Sequence, residues 1–153
     1  MAYWLMKTEP DECSIDDLEN AAPAAVIWEG VRNYQARNFM RQMQVGDEVL
    51  IYHSSCKMIG VAGTAKVVKA AYSDPTQFDS QSSYFDAKSK KENPRWDAVD
   101  VKFVQKLKQL LPLDAIKAMP ALQELALVKK GNRLSVMPVS ETEWRAILEA
   151  AGI

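Results

Sequence analysis

The sequence predicts an α+β protein in which a curled sheet or small barrel carries short helices around it. Three observations predict this. Ala2 to Lys7, Glu48 to His53, Met58 to Ala71 and Trp96 to Lys108 read as strands, most of them by alternation of apolar and polar positions. A run from about Asn33 to Met43 and another after Ser140 follow helical spacing instead. The longest strand-like run holds Gly60 and Gly63, which weaken a regular strand and signal a bulge or a second backbone passing close, so the sheet is expected to curl.

Taken in order, Ala2 to Lys7 places Trp4 and Met6 on one face and Tyr3, Leu5 and Lys7 on the other, and Pro10 stops it. Ser14 with Asp17 is an N-cap and acidic first turn for a helix over Ile15 to Glu19. Val26 to Trp28 is extended, and Gly30 lets the chain swing into the next helix, with Tyr34, Phe39, Met40 and Met43 as its core positions. Gly46-Asp47 turns the chain into the strand Glu48 to His53. In the run that follows, Ile59, Val61, Ala65 and Val67 read as core, and Thr64 and Lys66 as more exposed. Residues 73–95 form a long irregular segment of the kind that is often functional. Pro112 and Pro120 each begin a short helix, the second carrying Leu122 and Leu125. Arg133 to Met137 is a last short strand. Ser140 and Glu143 form a capping box, with Val139 and Trp144 as its hydrophobic staple.

The 153 residues, 48% hydrophobic and 25% charged, fit one domain over 1–153 with a substantial core. A net charge of -1 excludes a protein that coats nucleic acid through bulk charge. Charge is nevertheless uneven. Acidic residues crowd the first thirty positions, whereas 88–108 and 117–133 are rich in lysine and arginine, which implies one acidic and one basic face. Cys13 and Cys56 make no disulfide framework, and with a single histidine they make a poor metal site. Neither a secretory leader nor a membrane span is expected, so the chain reads as intracellular. Phosphate-loop, dinucleotide-binding, zinc-protease and serine-hydrolase signatures are absent, so no catalytic residue, cofactor or metal is assigned.

The stretch from Trp28 to Ser55 departs from a generic pattern. Around its helix it carries Asn33 and Asn38 with Arg32, Arg37 and Arg41, and its strand keeps polar groups to the end at Tyr52, His53 and Ser54. It reads as one wall of a pocket.

Several ordered motifs carry a resemblance: KTEPDECSIDDL at 7–18, WEGVRNYQARNFM at 28–40, GDEVLIYHSS at 46–55, GVAGTAKVV at 60–68, YFDAKS at 84–89 with Asp74, PRWDAVDVKFV at 94–104 and RLSVMPVS at 133–140. Over nearly its whole length the chain resembles the EVE domain family, small PUA-like proteins related to the YTH readers of modified bases. Cys13 stands where that family has an aromatic, commonly tyrosine. The resemblance implies a curled, mostly antiparallel β pseudo-barrel with peripheral helices. It also implies non-catalytic recognition of a modified base in nucleic acid, with 5-substituted cytosine in DNA favoured. Bacterial members are then expected in the cytoplasm and eukaryotic ones in the nucleus. The alternatives are modified RNA, a small-molecule enzyme acting on a nucleotide-like compound and a protein-interaction module.

Under that resemblance Trp28, Asn33, Tyr52, Thr8, Lys7, Ser54 and Asn38 are the candidate base-pocket residues. Trp28 and Tyr52 offer rings for stacking, and Thr8, Asn33 and Asn38 offer groups for a base edge. Core packing for Trp28 and helix capping for Asn33 are the competing roles. Arg32, Arg37, Arg133, Ser135 and Arg95 are the candidates for phosphate or the pocket rim. For the helix arginines, pairing with the acidic N-terminal third is the alternative. Tyr84 and Phe85, just before Lys88, Lys90 and Lys91, make the long segment a candidate clamp on a nucleic-acid strand. The oligomeric state is left open.

Overall fold

A computed structural model describes all 153 residues, Met1 to Ile153. The chain forms strands β1 (Tyr3–Thr8), β2 (Val26–Trp28), β3 (Glu48–His53), β4 (Gly60–Ser73), β5 (Asp97–Pro112) and β6 (Val136–Val139). Four helices accompany them: α1 (Ile15–Ala21), α2 (Tyr34–Gln42), α3 (Leu113–Lys117) and α4 (Glu141–Ala150). All strands join one sheet in the order β2-β5-β4-β3-β1-β6. β1 runs parallel to β3, and every other neighbouring pair is antiparallel.

This topology corrects the expected curled pseudo-barrel. The sheet is open: β2 and β6 are its edges and do not pair with each other. The reason lies in the alternation along the central strands. Trp4 and Met6 of β1 and Val49 and Ile51 of β3 enter one core cluster, with Ile15 and Leu18 of α1 and Ala36 and Met40 of α2. Leu5, Leu50 and Tyr52 enter a second cluster on the opposite face, with Ile116 of α3 and Trp144 and Ile147 of α4. A barrel has one interior, whereas a sheet buried on both faces is covered by helices and stays open. The glycine signal was correct locally. The pairing of β3, β4 and β5 shifts register around Ile51, Val61 and Gly63, and a Cβ on Gly63 would collide with the Gln105 carbonyl oxygen. Such bulges twist a sheet without closing it.

Both capping boxes form, at Ser14–Asp17 and Ser140–Glu143, and Val139 and Trp144 meet in the second cluster. Other details differ. β5 runs on to Pro112, which becomes the N-cap of α3. The helix expected at Pro120 is instead two 3-10 turns, Pro120–Leu122 and Ala126–Val128. The last strand starts at Val136. Ile59 is exposed, and Thr64 is buried. Tyr34, expected in the core, is half exposed and stacks on Trp96 with ring centroids 4.7 Å apart.

The long segment between β4 and β5 is folded around two fully buried polar side chains. The Gln77 amide nitrogen donates to the Asp74 and Trp96 carbonyls, both at 2.7 Å. Its oxygen accepts from Ser89 Oγ and from the backbone N–H groups of Arg95 and Trp96. Asp74 ties the same segment to the loop after β2, which is where the site begins.

Candidate functional site

Because β1 and β3 are parallel, their C-terminal ends lie side by side, with Thr8 opposite His53. The Ser54 N–H donates to the Thr8 carbonyl at 2.9 Å, and the Lys7 N–H donates to the Ser135 carbonyl at 2.8 Å. The segments after β3 and before β6 are thereby held on either side of the end of β1. The rim is completed by the turn after β1, by the loop from β2 to α2, and by Tyr84. They enclose a cleft of about 1130 Å³.

The loop from Trp28 to Asn33 has its shape fixed by Asp74. That carboxylate accepts from the Gly30 N–H at 2.8 Å, from Arg32 Nη1 at 3.0 Å and from the Thr76 N–H at 2.8 Å. Burial alone would raise its pKa, yet the bonds from Thr76, Gly30 and Arg32 outweigh burial and hold it below the usual value. Gly30 sits at φ +84, and a Cβ there would lie 2.6 Å from Tyr84 Cζ, so both conformation and space require glycine. Arg32 also donates to the Tyr84 carbonyl at 2.7 and 3.1 Å, which brings that ring onto the cleft.

Of the base-pocket candidates, Lys7, Thr8, Trp28, Asn33 and Ser54 line the cleft. Trp28 is 6% exposed and belongs to the first core cluster, so it packs and faces the cleft at once. Asn33 likewise fills both of its anticipated roles. Its Oδ1 caps α2 by accepting from the Ala36 N–H at 2.9 Å, and its side chain also borders the cleft. Thr8 Oγ1 donates to the Cys13 carbonyl at 2.8 Å and keeps acceptor capacity. Among the rim candidates, Arg32, Arg133 and Ser135 line the cleft.

The other candidates lie elsewhere. Tyr52 is 2% exposed and points into the second core cluster, because alternation along β3 sends it to the opposite face. Arg37 and Asn38 lie together on the outer side of α2. The Arg37 guanidinium donates to Asn38 Oδ1 at 2.8 Å and to the Arg95 carbonyl at 2.7 Å, and it sits 4.7 Å from the Tyr34 ring centroid. Arg95 lies outside the cleft, 3.9 Å from Asp86. Arg41 pairs with Asp97, and Arg32 with Asp74. Arg41 and Arg32 therefore find their acidic partners between residues 74 and 97, and not in the N-terminal third, while Arg37 pairs with no carboxylate. Lys88, Lys90 and Lys91 do not reach the cleft, although Tyr84 does.

The cleft also holds carboxylates that the sequence reading did not place there. Glu9, Glu12, Asp17 and Glu29 face Lys7, Arg32 and Arg133. Burial and the Asp74 carboxylate push the Glu29 pKa up, and burial pulls that of Lys7 down. Tyr84 donates its hydroxyl to Glu12, and burial together with that bond pushes its pKa up to about 12. Burial, helped by Asp17 and Glu12, pushes the Cys13 thiol up to about 11, so it stays protonated. His53 Nε2 accepts from the Ile15 N–H at 3.1 Å and serves the start of α1. The crowding of acids near the N-terminus was the available signal, but nothing in it said that they turn toward Lys7.

Fold and cleft together define an α+β module with a recessed, hydrogen-bonding pocket at one end of an open sheet. The model of the EVE domain matches residues 2–150. The chain belongs to the EVE domain family. It is 40% identical over 164 residues to human thymocyte nuclear protein 1, covering 96% of this chain and 72% of that protein. Among solved structures, a Pseudomonas syringae protein shares 53% identity at a TM-score of 0.96, covering 98% of this chain and 99% of that one. Human THYN1, solved in complex with DNA containing 5-methylcytosine, shares 38% identity at a TM-score of 0.93, covering 100% of this chain and 99% of that one.

Proposed function

We propose that this protein binds DNA containing 5-methylcytosine and holds the modified base in the cleft at the end of β1 without transforming it. The observation that carries this reading is the likeness, over the whole chain, to the human protein solved with 5-methylcytosine-containing DNA. The cleft supports it chemically. A cytosine edge presents an exocyclic amine that donates and ring positions that accept, so a pocket for it needs both kinds of partner. Glu12, Asp17 and Glu29 supply acceptors, and Lys7, Asn33 and Ser54 supply donors. The Trp28 indole offers a stacking surface of the kind worth about 1–3 kcal/mol per base, and its packing in the core fixes its position. Arg133 and Ser135 stand at the rim, where phosphate contacts would set position without reading sequence. Binding without turnover agrees with a Cys13 thiol kept protonated and with a His53 ring engaged by the backbone of α1.

The test is a titration of the intact chain with two duplexes that differ only in one cytosine methyl group. Tighter binding of the methylated duplex is expected, and equal affinity for both would refute the reading.

A further inference from the structure

A second cavity of about 610 Å³ lies beside the first. Lys7 lines both cavities, whereas Thr8, the next residue, lines only the cleft. Lys117 at the end of α3, and Lys129 and Lys130 after the 3-10 turn Ala126–Val128, bring three more ammonium groups to this basin. No Asp or Glu lines it, in contrast to the four carboxylates of the cleft. Lys7, Lys117 and Lys130 take part in no ion pair, and Lys129 pairs at 3.1 Å with Glu124, whose side chain is 89% exposed.

The strongest observation is Asn132. Its Oδ1 accepts from the Leu134 N–H at 3.3 Å, which orients the amide. Its Nδ2 is buried and has no acceptor in the protein. Buried amide donors are nearly always paired, and the residue that carries this unpaired one also lines the cavity of four lysines. An anionic oxygen held by the ammonium groups satisfies it once the Gly131–Asn132 turn shifts enough to uncover the nitrogen.

We infer that this basin is an anion site that takes a phosphate group, and that in the complex proposed above the phosphate belongs to the DNA strand whose base enters the cleft. The assignment to DNA rests on that proposed function; the anion site itself does not. The basin gives a chain of net charge -1 a local purchase on a polyanion. It also accounts for Lys117, Lys129 and Lys130, which the cleft leaves unused. Lys7 links the two cavities, so base and phosphate are addressed by one strand end.

The test compares the wild-type chain with Lys117→Gln/Lys130→Gln and with Lys102→Gln/Lys108→Gln, which removes two exposed lysines of β5 and equalises the charge change. Two probes are used: inorganic phosphate, followed by the side-chain amide resonances of Asn132, and the methylated and unmethylated duplexes, titrated across a range of salt. Phosphate, and not chloride, is expected to shift the Asn132 amide in the wild type and in the β5 variant. The basin variant is expected to lose that shift and to bind both duplexes more weakly by the same factor. Its slope of log affinity against log salt should be shallower by about 1, the change expected for one lost phosphate contact. Its preference for the methylated duplex should remain.

An Asn132 amide that ignores phosphate, or a basin variant that behaves like the β5 variant with both probes, overturns the proposal. A phosphate-dependent shift with unchanged DNA binding overturns the assignment to DNA and leaves free phosphate or a nucleotide as the ligand. A wild-type chain without methyl preference defeats the proposed function, while the Asn132 shift and the salt slope still decide the basin. Asn132→Asp gives a second check, because it replaces the orphaned donor with a like-shaped acceptor and should weaken binding of both duplexes by the same factor, as the basin variant does.

Discussion

Arg32 and Asp74, 42 residues apart in the chain, form an ion pair at 3.0 Å around a carboxylate with no exposed surface. The pair is the joint between the loop that carries Trp28 and the segment that carries Tyr84. Asp74→Ala leaves the guanidinium and the Gly30 N–H without their acceptor, and removing one partner of a buried pair typically costs about 3–5 kcal/mol. Urea unfolding should show this loss. The pKa of Asp74 is lower in the folded chain, so its contribution is present above the unfolded value of about 4 and is lost as pH falls through the folded value. Asp74→Asn should flatten that acid limb of the stability profile.

Gly30→Ala meets two obstacles, φ +84 and the Tyr84 ring. The first costs an L-residue about 1–2 kcal/mol, and the second adds to it. In Gly30→Ala/Tyr84→Ala only the collision is relieved, so a thermodynamic cycle over the two sites should show coupling. Additive losses would mean that the ring does not set the position of this loop.

Much of this architecture was legible because its signals are local. Ser14 with Asp17 and Ser140 with Glu143 announced their helices three residues ahead, and each box forms as read. Gly30 announced the swing into α2. Long-range partners carried no such signal. Gln77 sits in a polar run that reads as loop, and only the fold brings Ser89 and the Arg95 and Trp96 N–H groups to its oxygen. Tyr52 was misplaced because it was read from the polar end of its strand, whereas both faces of that strand are buried and alternation sends Tyr52 into the second core cluster. The bulge at Gly63 and the close backbone approach at Gly60 were foreseen, but closure of a sheet depends on its edge strands, and β2 and β6 end far from each other in its order.

His53 should make stability fall on mild acidification. Burial lowers its folded pKa, although Asp16 and Asp17 oppose this, and its Nε2 must stay unprotonated to accept from Ile15. The unfolded chain therefore binds the extra proton first. The stability from this group is complete above about pH 6.5 and declines as pH drops below it. Chemical denaturation at pH 7.5 and 5.5 should reveal the decline, and His53→Gln should reduce it. An equal dependence in the variant would assign the effect to other groups.

Trp28 carries both packing and, in the proposed complex, stacking. Trp28→Leu should weaken binding of the methylated duplex by about 1–3 kcal/mol, the range for loss of one base–aromatic stack, with weak binding of the plain duplex little changed. Trp28→Phe, which keeps a ring, should lose less. Thermal unfolding of both variants separates this from the core contribution, since truncating a buried tryptophan also destabilises the fold.

In the proposed complex the modified base itself enters the cleft beside Trp28. A duplex with a carbon-13 label on the 5-methyl group, mixed with the intact chain, reports this through nuclear Overhauser effects from that methyl. Contacts to the Trp28 indole protons are expected, with a methyl shift unlike that of the free duplex. A bound duplex whose methyl keeps its stacked-helix shift and shows no contact with Trp28 would contradict it.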